Sequence, residues 1–256
     1  MLHFLQTSLA LTLLLASLFA AGCGVTGSVQ AQRTEGSAEA GAHESDRKPL
    51  QIGKLIKKRQ IAPVMSVAHA DWLTRPERDS QEQPDRVVQE LKIPKGATVV
   101  DLGAGVGYFT WRLAKQVGPT GKVIAVDIQE GMLDLLRQNL ADRDITNTEV
   151  VLGTFDDPHL PVGTVDLVLL VDVYHELAEP EKIMDRVRRS LKPDGRVAII
   201  EYRKEDPSIP ISPLHKMTVA EVRAELEPVG FRLSEVLDFL PTQHILIFKD
   251  GQAAKR

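Results

Sequence analysis

The chain has 256 residues, 43% hydrophobic, 26% charged and 5% aromatic, which suits one globular domain with a terminal extension and excludes disordered, collagen-like and multi-span membrane classes. With 31 basic against 35 acidic residues and a formal charge of -4, it has no positive excess to neutralise a nucleic-acid backbone, so nucleic acid is not an expected partner. The one cysteine, Cys23, allows neither an internal disulfide nor a cysteine-based metal cage.

Leu9 to Ala21 form an apolar run of 13 residues, short of the roughly 20 of a membrane-spanning helix but within the length of a signal-peptide core. The run ends in Ala20-Ala21-Gly22-Cys23, which resembles the bacterial lipobox, in which small residues precede a cysteine that is lipidated. Residues 1–22 are therefore expected to be a lipoprotein-like signal peptide and Cys23 a membrane anchor, with cleavage after Ala31 and an unprocessed N-terminus as the alternatives. Residues 23–50 are rich in Gly, Ser, Ala, Gln and Glu, too polar to offset their chain entropy, and read as a disordered tether. The expected location is exported, membrane-anchored or periplasmic, and cytoplasmic if the signal is not used.

Residues 51–92 read as a helical lid: the stretch from Ile61 to Pro84 carries Met65, Trp72, Arg75 and Arg78 in a chain otherwise poor in aromatics, with a plain packing helix as the alternative. From Ala97 onward, short β-branched runs alternate with longer helical ones, the pattern of a parallel sheet with crossover helices. Strands are predicted at Thr98–Leu102, Lys122–Asp127, Thr148–Leu152, Val165–Val171 and Arg196–Tyr202. Helices are predicted at Tyr108–Val117, Glu130–Asp142 and Pro180–Leu191, the last stopped by the glycine of Lys192-Pro193-Asp194-Gly195. Thr218–Leu226 reads as a further helix, with Thr218 and Glu221 forming a capping box, and two final strands fall near Phe231–Leu237 and Ile245–Phe248. The fold class is α/β: a Rossmann-like, doubly wound, mostly parallel seven-stranded sheet with helices on both faces.

The most specific local signal is Asp101-Leu102-Gly103-Ala104-Gly105-Val106-Gly107, directly after the first strand and opening a helix. Glycines there permit a tight turn and close approach of a ligand to the backbone. The form is D-x-G-x-G-x-G, and Tyr108 occupies the place of the third glycine of a dinucleotide fingerprint, which disfavours a nicotinamide oxidoreductase. A carboxylate ahead of the turn attracts a ligand bearing an ammonium or sulfonium group. Asp127 ends the second strand, 20 residues beyond Gly107, where a carboxylate can accept two bonds from ribose hydroxyls. After the third strand, the loop Gly153 to Pro161 offers carboxylates to an adenine amine.

On these motifs the stretch from Pro84 to Lys249 resembles the class I S-adenosylmethionine-dependent methyltransferases, and Arg188 to Val197 resembles the segment before their fifth strand. The resemblance implies S-adenosyl-L-methionine as the methyl donor. Asp101, Gly103, Gly105 and Gly107 would hold its methionine part, Asp127 the ribose, Ile128 one adenine face and, counted back from Leu160-Pro161, Asp156 and Asp157 the adenine edge. Residues 93–256 would be the methyltransferase domain and a small molecule the acceptor, transfer being an in-line displacement. The alternative is a surface-tethered binding module that keeps the donor pocket without transfer.

Candidate catalytic groups lie where the fourth strand ends: Asp172 to orient donor or acceptor, Tyr174, and His175 as a base whose ordinary pKa is near neutrality. Glu201-Tyr202-Arg203 and His215-Lys216 would close the pocket from the other side. No metal is expected, because these residues share no recognised ligand spacing with His175 and Asp172.

Overall fold

The computed structural model describes residues 59–251. The expected signal peptide and tether, Cys23 and residues 51–58 of the expected lid lie outside the described residues. Among the described residues no helix is long and apolar enough to cross a membrane.

The chain enters through a 3₁₀ helix at Val67–Thr74, then α1 (Arg78–Glu82) and α2 (Pro84–Glu90). The expected lid is thus broken into three short pieces. Pro76 and Pro84 interrupt it, and Gln83 takes a left-handed conformation (φ 43°) between α1 and α2. The first piece lies over the glycine loop, with Ala70 packed in one buried cluster with Val106 and Met132. The second and third are pinned by polar contacts: the Arg112 guanidinium reaches Asp79 of α1 at 2.9 Å and Asp85 of α2 at 3.0 Å, and Arg78 stacks over the Tyr108 ring at 3.9 Å.

The domain then runs β1 (Thr98–Leu102), α3 (Thr110–Val117), β2 (Lys122–Asp127), α4 (Glu130–Ala141), β3 (Thr148–Leu152), β4 (Val165–Val171), α5 (Pro180–Ser190), β5 (Leu191–Arg203), β6 (Lys216–Met217), α6 (Val219–Leu226), β7 (Phe231–Leu237) and β8 (Gln243–Asp250). Seven strands follow the order β3-β2-β1-β4-β5-β8-β7, and β6 pairs with β5 off this path. Pairing is parallel from β3 to β5, and β8 runs antiparallel to both β5 and β7. The doubly wound, mostly parallel sheet expected from the sequence is present, with the two-residue β6 added.

Alternation along each strand splits the core between the two faces. Val123 packs with Leu113 and Val117 of α3, and Ala125 with Leu133 and Leu136 of α4, while Ile124 and Val126 face the cluster containing Val187 of α5 and Leu226 of α6. α6 has its capping box: Glu221 N–H donates to Thr218 Oγ1 at 3.0 Å, and Thr218 N–H donates to Glu221 Oε2 at 2.9 Å. The expected glycine stop after α5 is not used. α5 ends at Ser190, whose hydroxyl donates to Val187 O at 2.7 Å, and the chain turns at once into the extended Leu191. Gly195 instead lies inside β5, where a Cβ would come within 2.7 Å of Val165 O.

Candidate active site

The C-terminal ends of β1, β2, β3 and β4 open into one cavity of about 1000 Å³, roofed by the 3₁₀ helix Val67–Thr74. In an open parallel sheet this is where ligands bind.

β1 delivers Asp101 to the cavity floor, 3% exposed, with Thr110 Oγ1 donating to its Oδ2 at 2.6 Å. Burial pushes its pKa up to about 6, against the lowering by Thr110. The loop that follows turns on Gly103, Gly105 and Gly107, all at positive φ (77°, 53° and 82°). At Gly103 a Cβ would stand 2.4 Å from Val173 Cγ2, so the glycine also lets the β1 and β4 ends approach. Asp127 closes the other side of the loop: its Oδ2 accepts from Gly105 N–H at 2.9 Å and its Oδ1 from Gln129 N–H at 3.0 Å. Burial raises its pKa despite these bonds. One carboxylate thus fixes the glycine loop and, with Ile128, lines the cavity.

The two acids expected at the adenine edge do not reach the cavity. Gly153, Thr154 and Phe155 line it, and the chain then folds back, with Thr154 N–H donating to Asp157 O at 2.8 Å and Thr154 Oγ1 bonding Asp156 Oδ1 at 2.9 Å. Asp157 instead caps His159 N–H and pairs with Arg186 at 3.5 Å. Counting forward from Gly153, rather than back from Leu160-Pro161, leads to Phe155, an exposed aromatic in a chain with few, as the large side chain that lines the cavity at this position.

The β4 end separates the three expected catalytic residues. Tyr174 is a correction: it is fully buried in the core on the α5 and α6 face, beneath the Arg59 guanidinium, and does not line the cavity. Burial and the neighbouring Glu225 hold its hydroxyl protonated. Asp172 does line the cavity. It sits at φ 53° and accepts from Gln243 Nε2 at 2.7 Å through Oδ2, while its buried Oδ1 has no partner among the described residues. Burial, then Glu82 and Glu201, raise its pKa well above the carboxylate range.

His175 is placed in the cavity wall but is not a free base. Its Nδ1 lies 2.6 Å from Glu201 Oε2, its backbone N–H donates to Glu201 Oε1 at 3.2 Å, and its Nε2 stands 3.0 Å from His215 Nδ1. Burial works against its charged form, but the Glu201 carboxylate beside it more than offsets this and its pKa is raised. His215, half-buried, is lowered by burial and by His175. Glu176 joins them in the lining, its carboxyl pushed up to about 7 by burial. Arg59, which the sequence does not single out, holds this turn in place: it donates to His175 O at 2.6 Å and Tyr174 O at 2.7 Å, and pairs with Glu225 at 2.9 Å.

A methyltransferase domain family model matches residues 93–241. An arsenite methyltransferase of Halobacterium salinarum is 34% identical over 153 residues, 55% of this chain and 39% of that protein. A demethylmenaquinone methyltransferase of Lactobacillus johnsonii is 34% identical over 131 residues, 50% of this chain and 51% of that one. The chain therefore spans about half or less of these curated relatives. Among solved structures, a SAM dependent methyltransferase from Aquifex aeolicus is 30% identical and covers 72% of this chain and 98% of its own, with a TM-score of 0.69. The glycine loop between two buried acids, the strand order and these matches agree, and the chain belongs to the class I S-adenosylmethionine-dependent methyltransferases.

Proposed function

We propose that the protein transfers a methyl group from S-adenosylmethionine to a small-molecule acceptor bound in the same cavity. The observation that carries this is the pairing of Asp101 and Asp127 on either side of the Gly103 to Gly107 turn, in one cavity at the sheet's C-terminal edge. Two buried carboxylates beside a turn with positive φ suit a nucleoside that also carries an ammonium and a sulfonium, and a pyrophosphate would be repelled by them. When bound, the donor supplies an electrophilic methyl on a positively charged sulfur. The chain's own part is positioning and exclusion of water: Asp101 attracts the cationic end, Asp127 holds the ribose side, and Met65, Trp72 and Leu73 of the roof cover the reacting region.

The cavity volume lies at the upper end of the range for small-molecule sites, which leaves room for an acceptor beside the donor. Pro210, Ile211 and Leu177 add apolar surface to that remaining wall beside His175, Glu176 and His215, and no cysteine lies among the described residues, so a carbon-framework acceptor suits the wall better than a thiophilic ion held by thiolates. The test is incubation of the full chain with methyl-labelled donor and a small-molecule cell extract. Label in an apolar low-mass product supports the reading, and a chain that binds donor yet labels nothing is the silent binding module instead. The apolar run Leu9–Ala21 before Cys23 supports export and lipid anchoring as a further part of this proposal, tested by mass analysis of the native N-terminus.

A further inference from the structure

We propose that His175, His215 and Glu176 form a divalent-cation site in the cavity wall, with Glu201 as the carboxylate that orients it from behind. One nitrogen or oxygen from each of the three residues lies within 4.8 Å of the others. Three elements supply them: the 3₁₀ turn Tyr174–Glu176 after β4 carries His175 and Glu176, the 3₁₀ turn Pro213–His215 carries His215, and β5 carries Glu201.

Glu201 is fully buried, and both its oxygens are spent on His175, one on the backbone N–H and one on Nδ1. That contact makes Nδ1 the protonated nitrogen of a neutral His175 and leaves Nε2, 3.0 Å from His215 Nδ1, to carry the lone pair. A buried carboxylate behind a histidine whose other nitrogen faces an open cavity is the arrangement that orients metal-binding imidazoles. The distances fit as well. Two nitrogens on bonds of about 2.1 Å stand about 3.0 Å apart at right angles around one ion and about 3.4 Å apart at the tetrahedral angle; His175 Nε2 lies 3.0 Å from His215 Nδ1, which meets the first and asks a few tenths of an ångström of the second. Glu176 Oε1 stands 4.0 Å from His175 Nε2, and its carboxyl also accepts from the Met65 backbone, a bond that ligation would share or replace.

The charge around the cluster favours a cation too. Glu176, Glu201 and Asp172 converge there, and among the described residues no lysine or arginine forms a salt bridge with any of them. Two imidazoles and one carboxylate suit a borderline divalent ion such as Zn²⁺, Co²⁺ or Fe²⁺ rather than Mg²⁺ or Ca²⁺. All three residues line the cavity beside Ser212 and Ile211, so a bound ion would be open to a ligand from that side.

The site itself does not depend on the methyl-transfer reading, but its use does. An acceptor hydroxyl bound to the ion would lose its proton to solvent. Transfer then forms the oxygen–carbon bond while the donor's sulfur–carbon bond breaks and its electron pair stays on sulfur.

The experiment is titration of the metal-free full chain with Co²⁺, read by ligand-field absorption, with S-adenosylhomocysteine calorimetry on the same samples. The wild type should take up a single tight equivalent. Glu201→Gln, which removes no ligand, should weaken it about 10- to 100-fold, and His215→Ala and Glu176→Gln should weaken it more. Wild-type Co²⁺ binding no tighter than that of His215→Ala would overturn the site and leave the two histidines as a proton-sharing pair. S-adenosylhomocysteine binding without Co²⁺ binding removes the metal site alone; Co²⁺ binding without S-adenosylhomocysteine binding removes the methyl-transfer reading alone.

Discussion

Replacing Asp101 by Asn separates what the site costs the fold from what it gives the ligand. Asp101 is buried, and its pKa rises from an ordinary 3.8 to about 6 because burial disfavours the anion. A group whose folded pKa lies above its unfolded value is favoured in the folded state while protonated. Stability is therefore unaffected below about pH 3.8 and falls as pH rises through 6. At about 1.4 kcal/mol per pH unit, the ionised side chain costs the fold about 3 kcal/mol at pH 8 and about half that at pH 5. The amide keeps an acceptor for Thr110 Oγ1 and carries no charge, so Asp101→Asn should be more stable than the wild type, by an increment that grows between pH 5 and pH 8. Urea unfolding at the two pH values reads this directly. Binding should move the other way: S-adenosylhomocysteine affinity should fall about 10- to 150-fold at pH 8, the range for a charged hydrogen bond. The gap should narrow about tenfold at pH 5, where about nine-tenths of the wild-type carboxyl is itself protonated. A variant less stable than the wild type at pH 8, or wild-type affinity that is flat from pH 5 to 8, refutes the reasoning.

Asp127→Ala should weaken S-adenosylhomocysteine binding by a similar 10- to 150-fold and also lower stability by about 1–3 kcal/mol, because Gly105 N–H and Gln129 N–H lose their acceptor; calorimetry and urea unfolding on one sample measure both. Gly103→Ala places a Cβ against Val173 at φ 77°, and a drop of about 1–3 kcal/mol in unfolding free energy is expected, with an unchanged midpoint contradicting the close approach. Phe155→Ala should reduce donor affinity by the value of one base–aromatic stack, about 1–3 kcal/mol, at unchanged stability. Asp156→Asn should leave affinity within about twofold, and calorimetry showing the opposite ranking would restore the acids to the adenine edge.

The parts of the fold set by local chemistry were legible in the sequence. The β1 to β4 bounds follow from β-branched runs between turn residues, and the α6 capping box from Thr218 and Glu221 three residues apart. Legibility fails where tertiary packing decides. Gly195 reads as a helix stop because nothing local reveals that β5 needs it beside Val165 O. Tyr174 and His175 are neighbours in a polar-looking turn, yet one enters the core and the other the cavity, a choice made by the 3₁₀ twist and by Arg59, 115 residues away from Tyr174. Likewise the contacts of His175 with Glu201 and His215 span 26 and 40 residues, so no ligand spacing announces them. The adenine-edge residues were counted back from Leu160-Pro161, and the loop between there and Gly153 folds back on itself, so Asp156 bonds within the loop while Phe155 lines the cavity, a reversal that no local pattern signals.

The central claim is that the Asp101–Asp127 cavity is a methyl-donor site. Calorimetry of the full chain with S-adenosylhomocysteine, alongside NAD at the same concentrations, tests it most directly. The structure predicts a single site for the nucleoside thioether, weakened in Asp127→Ala, and none for the dinucleotide. A folded protein that ignores S-adenosylhomocysteine, or that binds NAD more tightly, would contradict it.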